Sequence, residues 1–281
     1  FRMKLKEVFY GLGLKPKLRE YPFDISSFTL PRDGDVEFAR WRHPSAVRRE
    51  RDGRGFEITQ PMVDTLRAFL KPGDVAIDIG AHTGDSSIPI ALAVGVKGAV
   101  FALEPNLYAY KVLLANSALN RTKTNIFPLN IAATPEDGSF EFEYSDPGFC
   151  NGGFHAGVDT WKHAHFFKLK VTGRNLPRFL ASNFPEEARR VRYIKIDTEG
   201  FDRAIASSLR SVLAEQRPYL KTEMYKHTPE ADRLGYYRDL RELGYALYKV
   251  ENEEEDYRSR PLHEADIMRW THYDVFAAPE R

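Results

Sequence analysis

From Phe56 onward, apolar residues recur in two alternating rhythms, and each rhythm marks an element. Ile58, Met62, Leu66, Phe69 and Leu70 fall at helical spacing, and Pro72-Gly73 stops that helix. Residues 74–79 are then a nearly continuous apolar run, as a strand covered on both faces requires. A glycine turn leads into a helix over 86–94, a strand over 99–103, a helix over 107–119 and a strand over 125–129. Two successive strand-helix units demand parallel pairing, and right-handed crossovers lay their helices over the sheet.

The rhythm then breaks. Residues 139–144 and 166–171 alternate as strands around a Gly-, Asn- and His-rich stretch at 148–165, which predicts an inserted hairpin with a mobile loop. Alternation resumes with a strand over 191–196, a helix over 201–214, a strand over 218–223, a helix over 229–243, and strands over 245–250 and 273–277. The charged run 251–260 reads as a solvated excursion between the last two strands. Seven core strands follow, in a doubly wound, mostly parallel α/β sheet of Rossmann-like type. Pro16, Pro22, Pro31, Pro44 and several glycines break residues 1–56 into short pieces, an accessory segment suited to a cap or an oligomer contact. Residues 57–281 form the main domain.

Composition narrows the function. With 281 residues, 42% of them hydrophobic, the chain can fill a sizeable core. Its 41 Lys and Arg balance 40 Asp and Glu, so no global field draws it to nucleic acid or an anionic membrane. No apolar stretch approaches the roughly 20 residues of a bilayer span, and the opening residues lack the apolar run of a signal peptide. A single cysteine, Cys150, makes no intramolecular disulfide, which fits a reducing, cytoplasmic setting.

The chemistry starts at Val75-Ala76-Ile77-Asp78-Ile79-Gly80-Ala81-His82-Thr83-Gly84, an apolar strand running into a turn with glycines four residues apart. Gly80 and Gly84 permit a tight turn and a close backbone approach to a ligand, and Asp78 at the strand end can engage an ammonium. Glu104 closes the next strand, where a carboxylate can accept hydrogen bonds from both hydroxyls of a ribose. Asn130 to Ala132, after the third strand, border the adenine by position. A nicotinamide dinucleotide would place its pyrophosphate on a G-x-G-x-x-G turn, and Asp78 two residues before Gly80 would repel it. The cationic sulfonium and ammonium of S-adenosylmethionine suit this turn better.

These residues, together with Phe101-Ala102-Leu103-Glu104-Pro105-Asn106, Asn116, Asn120 and Tyr193-Ile194-Lys195-Ile196-Asp197-Thr198-Glu199-Gly200-Phe201-Asp202, resemble the FkbM family of methyltransferases over about 56–223. Arg217-Pro218 and Glu223 extend the likeness, whereas Thr172-Gly173-Arg174-Asn175-Leu176 stands where the family usually carries Thr-Leu-Asp. The resemblance implies transfer of methyl from S-adenosylmethionine to a hydroxyl of a sugar or another secondary metabolite. It also implies a cofactor site from Asp78, Gly80, Ala81, His82, Thr83, Gly84, Glu104, Pro105, Asn106, Asn130, Ala132 and Asp197.

An alcohol is a poor nucleophile while protonated, so a base or cation must sit beside it. Lys195, Asp197, Glu199, Glu223 and His227 all fall near the carboxyl ends of adjacent strands, where the cofactor belongs. Lys195 reads either as one half of a buried ion pair or as the group that orients or deprotonates the acceptor. Asp197, Glu199 and Glu223 supply oxygen ligands that Mg²⁺ or Ca²⁺ accepts, although acids also gather at strand ends and helix N-termini without a metal. His227 is a base candidate or a turn residue. His155, His163 and His165 match no metal spacing; Asn151-Gly152-Gly153-Phe154 reads as a hinge or a turn; Trp161, Phe166 and Phe167 read as core. The partner expected is a small-molecule or glycan hydroxyl, without nucleic acid or stable membrane insertion, and self-association stays open. A nucleic-acid methyltransferase and a non-catalytic module that keeps the fold are the alternatives; Asp197-Thr198-Glu199-Gly200 replaces the polar-Pro-Pro-aromatic tetrapeptide that holds a flipped base.

Overall fold

The computed structural model describes residues 8–9, 12–14, 16–150, 152–153 and 167–280. It opens on strands β1 (Phe23–Leu30) and β2 (Gly34–Trp41), an antiparallel hairpin, followed by helix α1 (Pro44–Arg51) and helix α2 (Gln60–Arg67). Helix α2 is capped by Thr59, whose side chain accepts from the Met62 N–H. Then come β3 (Val75–Ile79), α3 (Ser87–Val94), β4 (Ala99–Leu103), α4 (Leu107–Leu119) and β5 (Ile126–Leu129). An insert contains β6 (Ala132–Ala133), β7 (Gly138–Tyr144), β8 (Gly152–Gly153) and β9 (Phe167–Arg174). The chain continues through α5 (Leu176–Asn183), α6 (Pro185–Ala188), β10 (Val191–Ile196), α7 (Asp202–Ser208), α8 (Arg210–Glu215) and β11 (Tyr219–Met224). It ends with α9 (Glu230–Glu242), β12 (Tyr245–Val250) and β13 (Tyr273–Pro279).

The central sheet has seven strands in the order β12-β13-β11-β10-β3-β4-β5. From β5 to β11 the pairing is parallel, and β13 runs antiparallel to both β11 and β12. This is the doubly wound, mostly parallel sheet that the alternation implies. Strands β3 and β4 are buried at every residue, and all of α3 is buried against them, which accounts for their near-continuous apolar sequence. Chain order reverses direction at β3 and β10, and ligands in such sheets bind at the carboxyl ends of the strands around that switch.

The insert is a four-stranded sheet, β6-β9-β7-β8, built on the expected hairpin of β7 and β9. Gly152 and Gly153 pair with β7, and Phe167 is buried. Asn151, Phe154, His155, Trp161, His163, His165 and Phe166 lie outside the described residues, as does most of the predicted loop.

Three expectations need correction. The helix expected over 201–214 is two helices, because Leu209 leaves helical geometry (φ −94°, ψ 7°) and the Ser208 hydroxyl donates back to Ile205 O at 2.7 Å. The charged run 251–260 is not simply solvated: Glu253 and Tyr257 reach buried Lys221, and Tyr257 is itself buried. The N-terminal segment carries two regular eight-residue strands with Val36, Phe38 and Trp41 buried, in place of short irregular pieces. Among the described residues no helix is long and apolar enough to cross a membrane.

Candidate active site

The glycine turn sits where the topology puts it, above β3 and against the end of β10. Gly80 (φ 80°) and Gly84 (φ 94°) both occupy left-handed backbone. A Cβ on Gly80 would lie 1.9 Å from the Asp197 carbonyl oxygen, so only glycine lets the two strand ends approach this closely. His82, between the glycines, is also left-handed (φ 48°), and its N–H donates to Glu104 Oε2 at 2.8 Å. The Asn106 N–H donates to Glu104 Oε1 at 2.8 Å. Two backbone donors therefore fix the carboxylate of Glu104 and leave each oxygen further lone pairs for ribose hydroxyls. Burial pushes the Glu104 pKa up, opposed by His82 and these backbone donors.

Asn130 donates to Glu104 O (2.8 Å) and Pro105 O (3.1 Å), clamping the loop after β4. Its amide thus holds the wall of the site; Ala132 is buried in β6. Asn106 caps α4 by accepting from the Tyr108 N–H at 2.9 Å, and its amide donates to Phe149 O. Phe149 (φ 53°) stacks on Tyr108 with centroids 5.0 Å apart, which packs the insert against the start of α4 and the loop after β4. Thr83 O accepts from Asn116 at 2.7 Å, fixing the second half of the turn.

Asp78 is fully buried. Its Oδ2 accepts from Ser86 (2.7 Å) and Ser87 (2.6 Å), while Oδ1 faces Lys195 Nζ at 3.5 Å. Lys195 also donates to Asp197 Oδ2 at 3.2 Å. Burial opposes the charge on Lys195, but Asp197 and Asp78 outweigh it, so its pKa lies above the ordinary lysine range. An ammonium held this way orients its partners and is unsuited to deprotonating an alcohol. The Asp197 side chain stays 47% exposed; partial desolvation raises its pKa, and Lys195 and Lys221 more than reverse this, keeping it a carboxylate.

Glu223, at the end of β11, is buried; its Oε1 lies 2.9 Å from His272 Nε2 and its Oε2 is buried with no hydrogen-bond partner among the described residues. Burial first, and then the charges of Asp197, Asp202, Asp274 and Glu199, raise its pKa to about 9. Glu199 (φ 53°) follows β10, its charge reaching both Glu223 and the buried Tyr144 of the insert. His227 is exposed on the turn after β11, its ring edge-on to Tyr225 at 5.4 Å.

The metal expectation for Asp197, Glu199 and Glu223 finds no support. Among the described residues no group of three or more His, Cys, Asp and Glu side chains could hold a metal ion, because Asp197 is turned to Lys195 and Glu223 to His272.

Sequence reasoning passed over a second polar group. His43, ahead of α1, lies with Nδ1 2.8 Å from Ser45 Oγ and Nε2 3.1 Å from Asp146 Oδ1, and Ser45 Oγ is 2.9 Å from Cys150 Sγ. Burial raises the Cys150 thiol, and His43, His82 and Ser45 outweigh it, bringing its pKa down to about 6. Burial works against a proton on His82, while Cys150, Asp85 and Glu104 raise its pKa to about 9. Trp41 packs on both His43 and His82, at 4.9 and 5.6 Å between ring centroids, so the N-terminal hairpin is one wall of this site. His43, the Asp146–Cys150 loop and His272 come from three separate stretches, and no fixed spacing announces them. The only local cue was Asp146-Pro147-Gly148, a turn signal.

An open mostly parallel sheet with one antiparallel strand, a glycine turn after its switch-point strand and an acid closing the next strand define a Rossmann-like fold with a nucleoside-binding turn. The profile of the methyltransferase FkbM domain matches residues 78–249, well over half of the chain, and the protein belongs to that family. No curated protein sequence matches the chain significantly. Among solved structures it is similar to precorrin-6y C5,15-methyltransferase from Geobacter metallireducens GS-15, with 14% identity, 80% of this chain and 91% of that one covered, and TM-score 0.43. A SAM-dependent O-methyltransferase from Thermotoga maritima is 16% identical, with 92% and 79% covered and TM-score 0.42. Aeropyrum pernix fibrillarin, solved with natively bound S-adenosyl-L-methionine, is 13% identical, with 94% and 86% covered and TM-score 0.42.

Proposed function

We propose that the protein transfers a methyl group from S-adenosylmethionine to a hydroxyl of a saccharide or another secondary metabolite. The observation that carries the cofactor reading is the paired geometry of Gly80, pressed on the Asp197 carbonyl, and Glu104, held by the N–H groups of His82 and Asn106. Such a turn admits a nucleoside against bare backbone, with a carboxylate fixed for its ribose. S-adenosylmethionine supplies the methyl group on a cationic sulfur, and the carboxylates of Asp78 and Asp197 favour a cation here.

The chain's own residues supply alignment and proton handling. Lys195 locks Asp78 and Asp197 in place across β3 and β10. Glu223 offers an unpartnered carboxyl oxygen beside them, suited to accept the proton of an acceptor hydroxyl. Tyr144 and Phe149 of the insert are buried, and Asn106 on the loop after Glu104 donates to Phe149 O, which suits the insert to shield the reacting groups from water.

The test is methyl transfer from isotope-labelled S-adenosylmethionine onto a panel of hydroxylated glycans and metabolites, with nucleic acid in parallel and products identified by mass spectrometry. An O-methylated small product is expected. Label appearing in nucleic acid alone would contradict the acceptor class.

A further inference from the structure

We infer that Glu223 and His272 form one proton-holding pair for this transfer, with Glu223 Oε2 taking the acceptor's proton and the carboxyl then releasing a proton from Oε1 to His272 Nε2, whose half-exposed ring gives one up to water. The inference rests on the proposed methyl transfer and names residues that act within it. Its geometry is a buried carboxyl with one oxygen unpartnered, the other 2.9 Å from an imidazole that is 46% exposed and so reaches solvent. The Tyr225 ring stands edge-on to His272 at 5.9 Å and holds its orientation.

The neighbouring elements present acidic and phenolic groups to this pair. Asp197 and Glu199 come from the end of β10, Asp202 from α7, Asp274 from β13, and Tyr225 follows β11. The two nearby ammonium groups are committed elsewhere, Lys195 to Asp197 and Asp78, and Lys221 to Asp274 and Glu253. Glu223 therefore holds its proton near neutral pH, and a cation placed beside it favours release. In the transfer, the acceptor oxygen forms a bond to the methyl carbon as the carbon–sulfur pair leaves with sulfur. The cation is lost in that step, so the proton affinity of Glu223 rises just as the hydroxyl proton must be taken. His272 is a positioning residue that acts through Glu223.

The experiment needs no acceptor. Calorimetric titration at pH 8, in two buffers of different ionisation enthalpy, compares proton release on binding S-adenosylmethionine with that on binding S-adenosylhomocysteine, its uncharged thioether product. At this pH Asp202, with a pKa raised to about 6 by burial and Asp197, has already lost its proton. The wild type is expected to release more protons with the sulfonium ligand. Glu223→Gln is expected to abolish that excess while both ligands still bind, which also separates Glu223 from His82. His272→Gln shifts the excess to higher pH, because the carboxylate loses its partner. Equal release for the two ligands, or an excess that survives Glu223→Gln, overturns the inference. Failure of both ligands to bind the folded wild type instead contradicts the methyl-donor reading on which it rests.

Discussion

At the scale of single residues, the parts of the site carried by a local motif were legible and those assembled across the sheet were not. Asp78, Gly80, Gly84 and Glu104 follow from strand-turn-helix geometry, since each sits at a fixed offset from a strand end. Glycine at position 80 is enforced from two sides, by its positive φ and by the Asp197 carbonyl. Gly80→Ala should lower stability by at least ~2 kcal/mol, because left-handed backbone alone costs about 1–2 kcal/mol for a residue with a Cβ; chemical denaturation measures it. His272 reaches Glu223 only because β13 lies beside β11, a pairing that sequence spacing does not encode. The consequence is a pH dependence. The folded-state pKa of Glu223 is about 9 against an ordinary 4.5, so the folded state binds the extra proton between those values. Its contribution is complete below about pH 4.5 and is lost as pH rises through 9. Glu223→Gln should therefore show a smaller drop in unfolding midpoint between pH 6 and pH 9 than the wild type; an identical drop in both would contradict the assignment.

At the scale of elements, the hydrophobic rhythm located every strand of the central sheet, because each is a mostly apolar run with clear punctuation, fully buried in β3 and β4 and half-buried in the edge strand β5. It missed the N-terminal hairpin, where four prolines within 1–56 masked the alternation of Val36, Phe38 and Arg40, and it missed α5 and α6 behind the insert. What ties the hairpin to the central sheet's helices is a pair of asparagines, Asn116 on α4 and Asn120 at its C-terminal cap. Asn116 accepts from Ala39 N (2.6 Å) and donates to Ala39 O (3.1 Å), and Asn120 does the same for Glu37 at 3.0 and 2.7 Å. The two side chains imitate a neighbouring strand and satisfy the inner edge of β2, which would otherwise leave buried backbone groups unpaired. Asn116 also holds Thr83 O in the glycine turn, so this clamp links the hairpin to the cofactor loop. Asn116→Ala removes three buried hydrogen bonds and should cost about 3 kcal/mol, at ~1 kcal/mol each. Hydrogen exchange should then speed up in both β2 and the turn; a change confined to β2 would show that the two are not coupled.

At the scale of the whole molecule, the sheet order places the polar residues of β3, β10 and β11 in one row at their carboxyl ends, where Asp78, Lys195 and Lys221 are in register. The doubly wound, mostly parallel arrangement was legible from the alternation of strands and helices, whereas the strand order came only with the fold. The polar groups that gather around that row were not legible either, since His43, Asp146 and His272 reach it from distant stretches of the chain. Lys195→Met would leave Asp78 buried without its ammonium and should destabilise the protein by about 3 kcal/mol, readable as a lowered melting temperature. A variant as stable as wild type would mean that Asp78 needs no counter-charge. The central claim is that the Gly80 turn and Glu104 together hold the adenosine of the methyl donor. Calorimetric titration with S-adenosylmethionine, on wild type and on Glu104→Gln with its folded state checked by circular dichroism, tests it most directly. One-to-one binding by the wild type, weakened roughly tenfold or more in the variant by loss of a charge-assisted hydrogen bond, is the predicted result. A folded wild type that binds no S-adenosylmethionine, or a variant that binds it equally well, would contradict the account.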